Sequence, residues 1–168
     1  MPIKRSHILC SGAALLLAAC GSGGGDVDPN AGADVLANGL TVRAQIEARQ
    51  EAYKAIGRNF KAINDDLKTA SPDLQTIQTA AAAMVEASAG MGDWYPEGTG
   101  PESGVKTEAL ATIWEDPAEF AVKISDYEGA LSGLETAVAS GDFEAIAAAA
   151  KATGPTCGAC HDKFRLDD

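Results

Sequence analysis

From Val42 to Leu67 the apolar residues Val42, Ile46, Tyr53, Ile56, Phe60, Ile63 and Leu67 recur at intervals of three, four and seven. That spacing makes one stripe on a helix, so the fold begins with a long amphipathic helix. Asp65 and Asp66 begin to break the stripe, and Ala70-Ser71-Pro72 ends it, because proline disfavours helical geometry in the residue before it. Ser71 and Pro72 then read as N-cap and first position of a second helix, which reaches about Gly90 with Leu74, Ile77, Ala81, Met84, Val85 and Ser88 on or near one face. Asp116, Pro117 and Glu119 form a capping box for a third helix with the stripe Phe120, Ile124, Tyr127, Leu131, Leu134 and Val138. Gly141 ends it, and Asp142 caps a fourth helix carrying Phe143, Ile146 and an alanine run to Thr153. Gly154-Pro155 is expected to kink or interrupt this last helix. Residues 90–104, rich in glycine and proline, form a loop longer than bundle connections need, and a short helical segment follows over Lys106 to Trp114.

Four helical patterns joined mostly by short turns predict an all-α, antiparallel up-down-up-down four-helix bundle. Its 168 residues, 46% of them apolar, fill one core rather than two. Aromatic residues make up only 5% of the chain and alanine dominates the apolar share, which disfavours a β sandwich. The net charge of −11 excludes nucleic acid as a partner, since such a surface repels phosphate backbones.

Residues 1–19 have the build of an export signal: a basic start at Lys4 and Arg5, then an apolar stretch ending in small residues. The ending Leu17-Ala18-Ala19-Cys20-Gly21 resembles the bacterial lipobox, which implies a lipid on Cys20 as the first mature residue and, with Gly21 after it, sorting to an outer membrane. The periplasm is the expected compartment, with the lipid as the only membrane attachment. Residues 20–39 are acidic and glycine-rich, too poor in apolar surface to fold, and read as a flexible tether. The domain proper is then 40–168. Processing leaves eleven Lys and Arg against 24 Asp and Glu, a formal charge of −13.

Every cysteine has a place in this scheme. Cys10 leaves with the signal, Cys20 takes the lipid, and the last two stand in Cys157-Gly158-Ala159-Cys160-His161, the C-x-x-C-H pattern of haem c attachment. Two thiols must add to one porphyrin edge while the next residue offers an imidazole to iron, and on a helix residues 157, 160 and 161 share a face. Cys157 and Cys160 are therefore the expected thioether positions and His161 the iron ligand. A thioredoxin-type thiol pair would follow a strand in a βαβ unit, and no such pattern precedes this motif. His7 is lost with the signal, so His161 is the one histidine of the mature chain and no second imidazole can bind the iron.

Three segments resemble the cytochromes c′, the class II c-type cytochromes with their haem motif near the C-terminus. They are Glu47 to Gly57, Thr112 to Asp116, and Cys157 to Arg165. The resemblance implies one covalent haem c in a four-helix bundle, commonly a homodimer, with five-coordinate iron facing an apolar pocket. It places Tyr53 as the bulky side chain over the open face, and Arg49, Gln50 and Arg165 near the haem and its propionates. Low-spin relatives of the cytochrome c556 kind carry methionine where Tyr53 stands and use it as a sixth ligand. Met84 and Met91 lie outside the region from which the family draws that ligand. A neutral phenol is itself a poor ligand near pH 7.

Two functions follow from this resemblance. One is binding of NO or CO at a vacant sixth position; the other is single-electron transfer to a basic redox partner protein, steered by the negative charge. A low-spin electron carrier with a sixth protein ligand is the alternative, and a tethered structural module with a vestigial haem is the blandest one. No nucleophile and base stand together in the pattern, so the expectation is a protein that is not an enzyme.

Overall fold

A computed structural model describes residues 30–166. The expected signal peptide, the Cys20 lipid site and residues 20–29 of the expected tether lie outside the described residues.

Among the described residues there are four long α-helices and one short one: α1 (Val42–Asp66), α2 (Leu74–Ser88), α3 (Thr112–Glu115), α4 (Pro117–Ser140) and α5 (Phe143–Phe164). α1 packs on α2 and α4 on α5, while α2 against α4 and α1 against α5 close the ring. The result is the antiparallel up-down-up-down four-helix bundle that the periodicity predicts.

Each long helix begins on a side-chain cap. Thr41 accepts from the Ala44 amide for α1, Asp116 from Glu119 for α4, and Asp142 from Glu144 and Ala145 for α5. α2 departs from expectation: its cap is Asp73, accepting from the Gln75 and Thr76 amides, not Ser71. A carboxylate reaches two amides where a serine hydroxyl two residues earlier reaches neither, so Pro72 precedes the helix. α2 also stops at Ser88, and Gly90 takes the left-handed conformation at φ 69°. All six residues of the α4 stripe are buried, Leu134 completely. Removing such a side chain costs about 2–5 kcal/mol. Gly141, at φ 72°, turns the chain from α4 into α5 in a conformation that glycine adopts without strain.

Gly154-Pro155 does not interrupt α5, which runs unbroken from Phe143 to Phe164. Proline removes the bond to the Lys151 carbonyl, but Lys151 and Pro155 both lie on the exposed face, where water can serve that group. The short helical segment expected over 106–114 is reduced to α3. Residues 108–110 instead pair with the end of α5 and the two residues after it: the Leu110 amide donates to Phe164 O at 3.0 Å and the Leu166 amide to Glu108 O at 2.8 Å. Within the described residues, the end of the expected tether is docked. Residues 30–41 fold back on α1, where Ala31 and Leu36 pack with Val42, Ile46 and Val105.

Candidate functional site

The last turns of α5 form one wall of a cavity of about 530 Å³, a size typical of cofactor sites. Cys157, Cys160 and His161 all line it. Both thiols are free and half-buried, and burial pushes both thiol pKa values up. His161 is held below the ordinary imidazole value, first by desolvation and then by the nearby Arg165 charge. An imidazole that stays neutral keeps a lone pair for a metal.

α1 supplies further lining residues, Gln50, Tyr53, Ile56 and Phe60, and α4 adds Phe120, Ile124 and Tyr127. The long loop contributes Tyr95 and Met91, two residues that sequence reading did not assign to the site. Tyr53 is fixed by that loop on two sides. The Tyr95 hydroxyl donates to its hydroxyl at 3.0 Å, and the Trp94 ring stands edge-on to its ring at 5.3 Å. Burial is the main reason why the pKa of Tyr53 rises well above that of an ordinary phenol, so it is neutral at any physiological pH. Tyr95 is positioned in turn by Trp114, whose indole nitrogen donates to Tyr95 O at 3.1 Å, and by Phe120, 4.9 Å away ring to ring. The loop's two aromatic neighbours, Trp94-Tyr95, were the available signal.

The remaining expected site residues separate into two groups. Gln50 lines the cavity while its amide donates to Lys106 O at 3.0 Å, and Arg165 lines it while its Nε donates to Glu108 at 2.7 Å. Arg49 is not among the lining residues. Its guanidinium, 3% exposed, donates to Thr99 Oγ1, Thr99 O and Thr107 Oγ1 at 2.7–3.0 Å and lies 4.6 Å over the Tyr95 ring. Arg49 thus forms a clasp between α1 and the loop, one residue back from the cavity through Tyr95 and Thr107. Lys163 ties the end of α5 to the start of α4 through Asp116 and Glu119.

The donor set fits a haem c. Two free thiols three residues apart and a neutral imidazole share one wall of a cavity whose other walls are mostly aromatic and aliphatic, the surroundings a flat apolar macrocycle needs. Among the described residues, no three His, Cys, Asp or Glu side chains cluster as a site for a bare metal ion.

Comparison with known proteins agrees with this geometry. The family model described as Cytochrome C′ matches residues 44–165. A cytochrome c′ from Rubrivivax gelatinosus is 30% identical over 120 residues, covering 71% of this chain and 92% of its own length. A solved cytochrome c′ with an unusual ligand-controlled dimer dissociation superposes with TM-score 0.72 at 28% identity, covering 77% of this chain and 99% of that one. The nitric oxide complex of a variant cytochrome c prime from Alcaligenes xylosoxidans gives TM-score 0.68 at 25% identity, covering 76% and 97%.

Proposed function

The chain belongs to the cytochrome c′ family, and from that premise we propose that its single covalent haem c is attached through Cys157 and Cys160, ligated by His161, and open to a small gas on the other face. When bound, the haem supplies an iron that can hold a diatomic molecule and exchange one electron. The chain's own residues decide what reaches it. The observation that carries this reading is the wall of Tyr53 and Tyr95, with Trp94 packed edge-on against Tyr53. It offers rings and a neutral phenol in place of an imidazole, and each ring is held by the next. Such a wall excludes water and bulky ligands while leaving NO or CO, which need little space, as the fitting occupants. The nitric oxide complex of the Alcaligenes relative supports this assignment.

A second reading has one observation in its favour. Met91, 4% exposed, lines the same cavity, and its thioether is a known kind of haem ligand in low-spin electron carriers.

The wider proposal keeps residues 1–19 as an export signal, Cys20 as the lipid site and the periplasm as the compartment, with attachment to an outer membrane. Electron exchange then favours basic partner proteins, steered by the acidic surface. A homodimer is proposed from the dimeric relative. Two measurements test the core of this reading on protein made in a host competent for cytochrome maturation. Peptide mass mapping is expected to find the macrocycle on the 157–161 peptide, and titration of the ferrous protein with CO is expected to saturate at one per chain. Free thiols at Cys157 and Cys160, or no CO binding, contradicts it.

A further inference from the structure

Gln45 is buried, 6% exposed, yet is not among the residues lining the cavity. Its side chain joins two segments far apart in sequence. Oε1 accepts from Asn38 Nδ2 at 2.9 Å, and Nε2 donates to Trp94 O at 3.1 Å. Asn38 belongs to the turn 30–41, which lies ahead of the family match at 44–165. That turn is anchored again where Arg43 donates to Ala31 O at 2.7 Å. It also presses on Val105: Gly32 sits at φ 72° with so little room that a Cβ there would lie 2.4 Å from Val105 Cγ2. Trp94 and Val105 flank the stretch of loop that carries Tyr95. The turn therefore grips this stretch at both ends, through Gln45 at Trp94 and by packing at Val105.

We propose that residues 30–41 are a strap holding the Trp94-Tyr95 loop down on Tyr53, with Gln45 as the positioning residue that transmits the restraint, so that loosening the strap speeds the entry of a gas. The proposal rests on the reading of Tyr53 as the cover of the ligand face. Gln45 touches no ligand and acts through Trp94, whose ring packs edge-on against Tyr53. Asn38 is exposed, so its bond to Gln45 is the accessible end of the device.

The test uses the haem-loaded full chain, unaltered and as Asn38→Ala, Gln45→Met and Tyr53→Ala. Mass-spectrometric hydrogen exchange over residues 92–99 reads the strap, and the CO association rate of the ferrous protein reads access. Gln45→Met keeps the volume but loses both of its bonds, and Asn38→Ala loses the one to Gln45 together with the exposed Leu40 amide bond to Asn38 Oδ1 within the turn. The net worth of a single hydrogen bond corresponds to roughly 2- to 10-fold in an opening equilibrium. Exchange over 92–99 is expected to rise by that factor in Asn38→Ala and by more in Gln45→Met. Exchange in α4 should stay unchanged, and CO association should rise in the same order. Unchanged exchange in the loop overturns the proposal. Faster exchange with an unchanged CO rate also overturns it when Tyr53→Ala does speed CO. If Tyr53→Ala leaves CO association unchanged too, the cover reading has failed and the strap's role falls with it. Should Gln45→Met not fold, Asn38→Ala decides alone.

Discussion

The hydroxyls of Tyr95 and Tyr53 meet at 3.0 Å on the cavity wall, joining the long loop to α1 across 42 positions of sequence. This link makes the loop part of the site rather than a connection between helices. It also separates what the Tyr53 ring does from what its hydroxyl does.

Tyr53→Ala removes the ring and is expected to raise CO affinity on the order of tenfold, equivalent to about 1.4 kcal/mol of steric cost relieved. Tyr53→Phe keeps the ring, breaks only the bond to Tyr95, and is expected to leave CO affinity within about twofold while lowering stability by about 1 kcal/mol. Equilibrium CO titration and urea unfolding of both variants check this pair of outcomes. An unchanged affinity in Tyr53→Ala removes Tyr53 from the role of cover.

Arg49 binds Thr99 twice and Thr107 once from a nearly sealed position. Its loss leaves buried acceptors without donors and removes the cation from the Tyr95 face. Arg49→Ala is expected to destabilise the fold by about 2–4 kcal/mol in urea unfolding. Arg49→Lys is expected to recover less than half of that, since an ammonium cannot serve three acceptors in the guanidinium's plane. A loss within about 0.5 kcal/mol, typical of surface positions, contradicts the clasp.

Met91→Leu separates the two coordination states. If no protein group takes the sixth position, the absorption spectra of the ferric and ferrous forms are expected to stay unchanged, with a stability loss under about 1.5 kcal/mol for a volume-conserving swap. A change of spin state on this substitution assigns the thioether to iron and favours the electron-carrier reading.

Acid lowers stability through the helix caps. The Asp73 carboxyl lies below its ordinary pKa, first because the Thr76 hydroxyl donates to it and then because the Gln75 and Thr76 amides do. Asp65 is lowered chiefly by Lys61. For a depressed carboxyl the unfolded chain takes up the proton first. The contribution is therefore complete above the unfolded value of about 3.9 and is lost as the pH falls through the lower folded value. The urea midpoint is expected to drop between pH 5 and pH 3, less steeply in Asp73→Asn than in the unaltered chain. Identical slopes in the two proteins remove Asp73 from the acid response.

Much of this architecture is legible locally. The α4 stripe from Phe120 to Val138 and the caps Asp116, Gly141 and Asp142 depend on neighbours within a few residues, and spacing alone exposes them. The same holds for Cys157, Cys160 and His161 as a group, whose chemistry is written in five consecutive positions. The start of α2 is not legible in the same way, because Ser71-Pro72 and Asp73 compete as caps and the two-amide reach of a carboxylate decides. The docking of residues 30–39 is hidden from the sequence because Ala31 and Leu36 find their partners in α1 and at Val105. Arg49 was illegible for the same reason: the residues that bury it, Thr99 and Thr107, lie 50 and 58 positions away. Tyr95 and Met91 sit in a glycine-rich loop without periodicity, where only the tertiary path brings them to the cavity. Pro155 misled in the other direction, since a helix tolerates proline where the freed carbonyl is open to water.

The central claim is an iron held by His161 on one face and by no protein atom on the other. Electron paramagnetic resonance of the purified ferric protein, frozen at neutral pH, tests it most directly. The account predicts a high-spin signal that is the same in unaltered protein and in Met91→Leu. A low-spin signal from the unaltered chain, with two strong axial ligands, contradicts it.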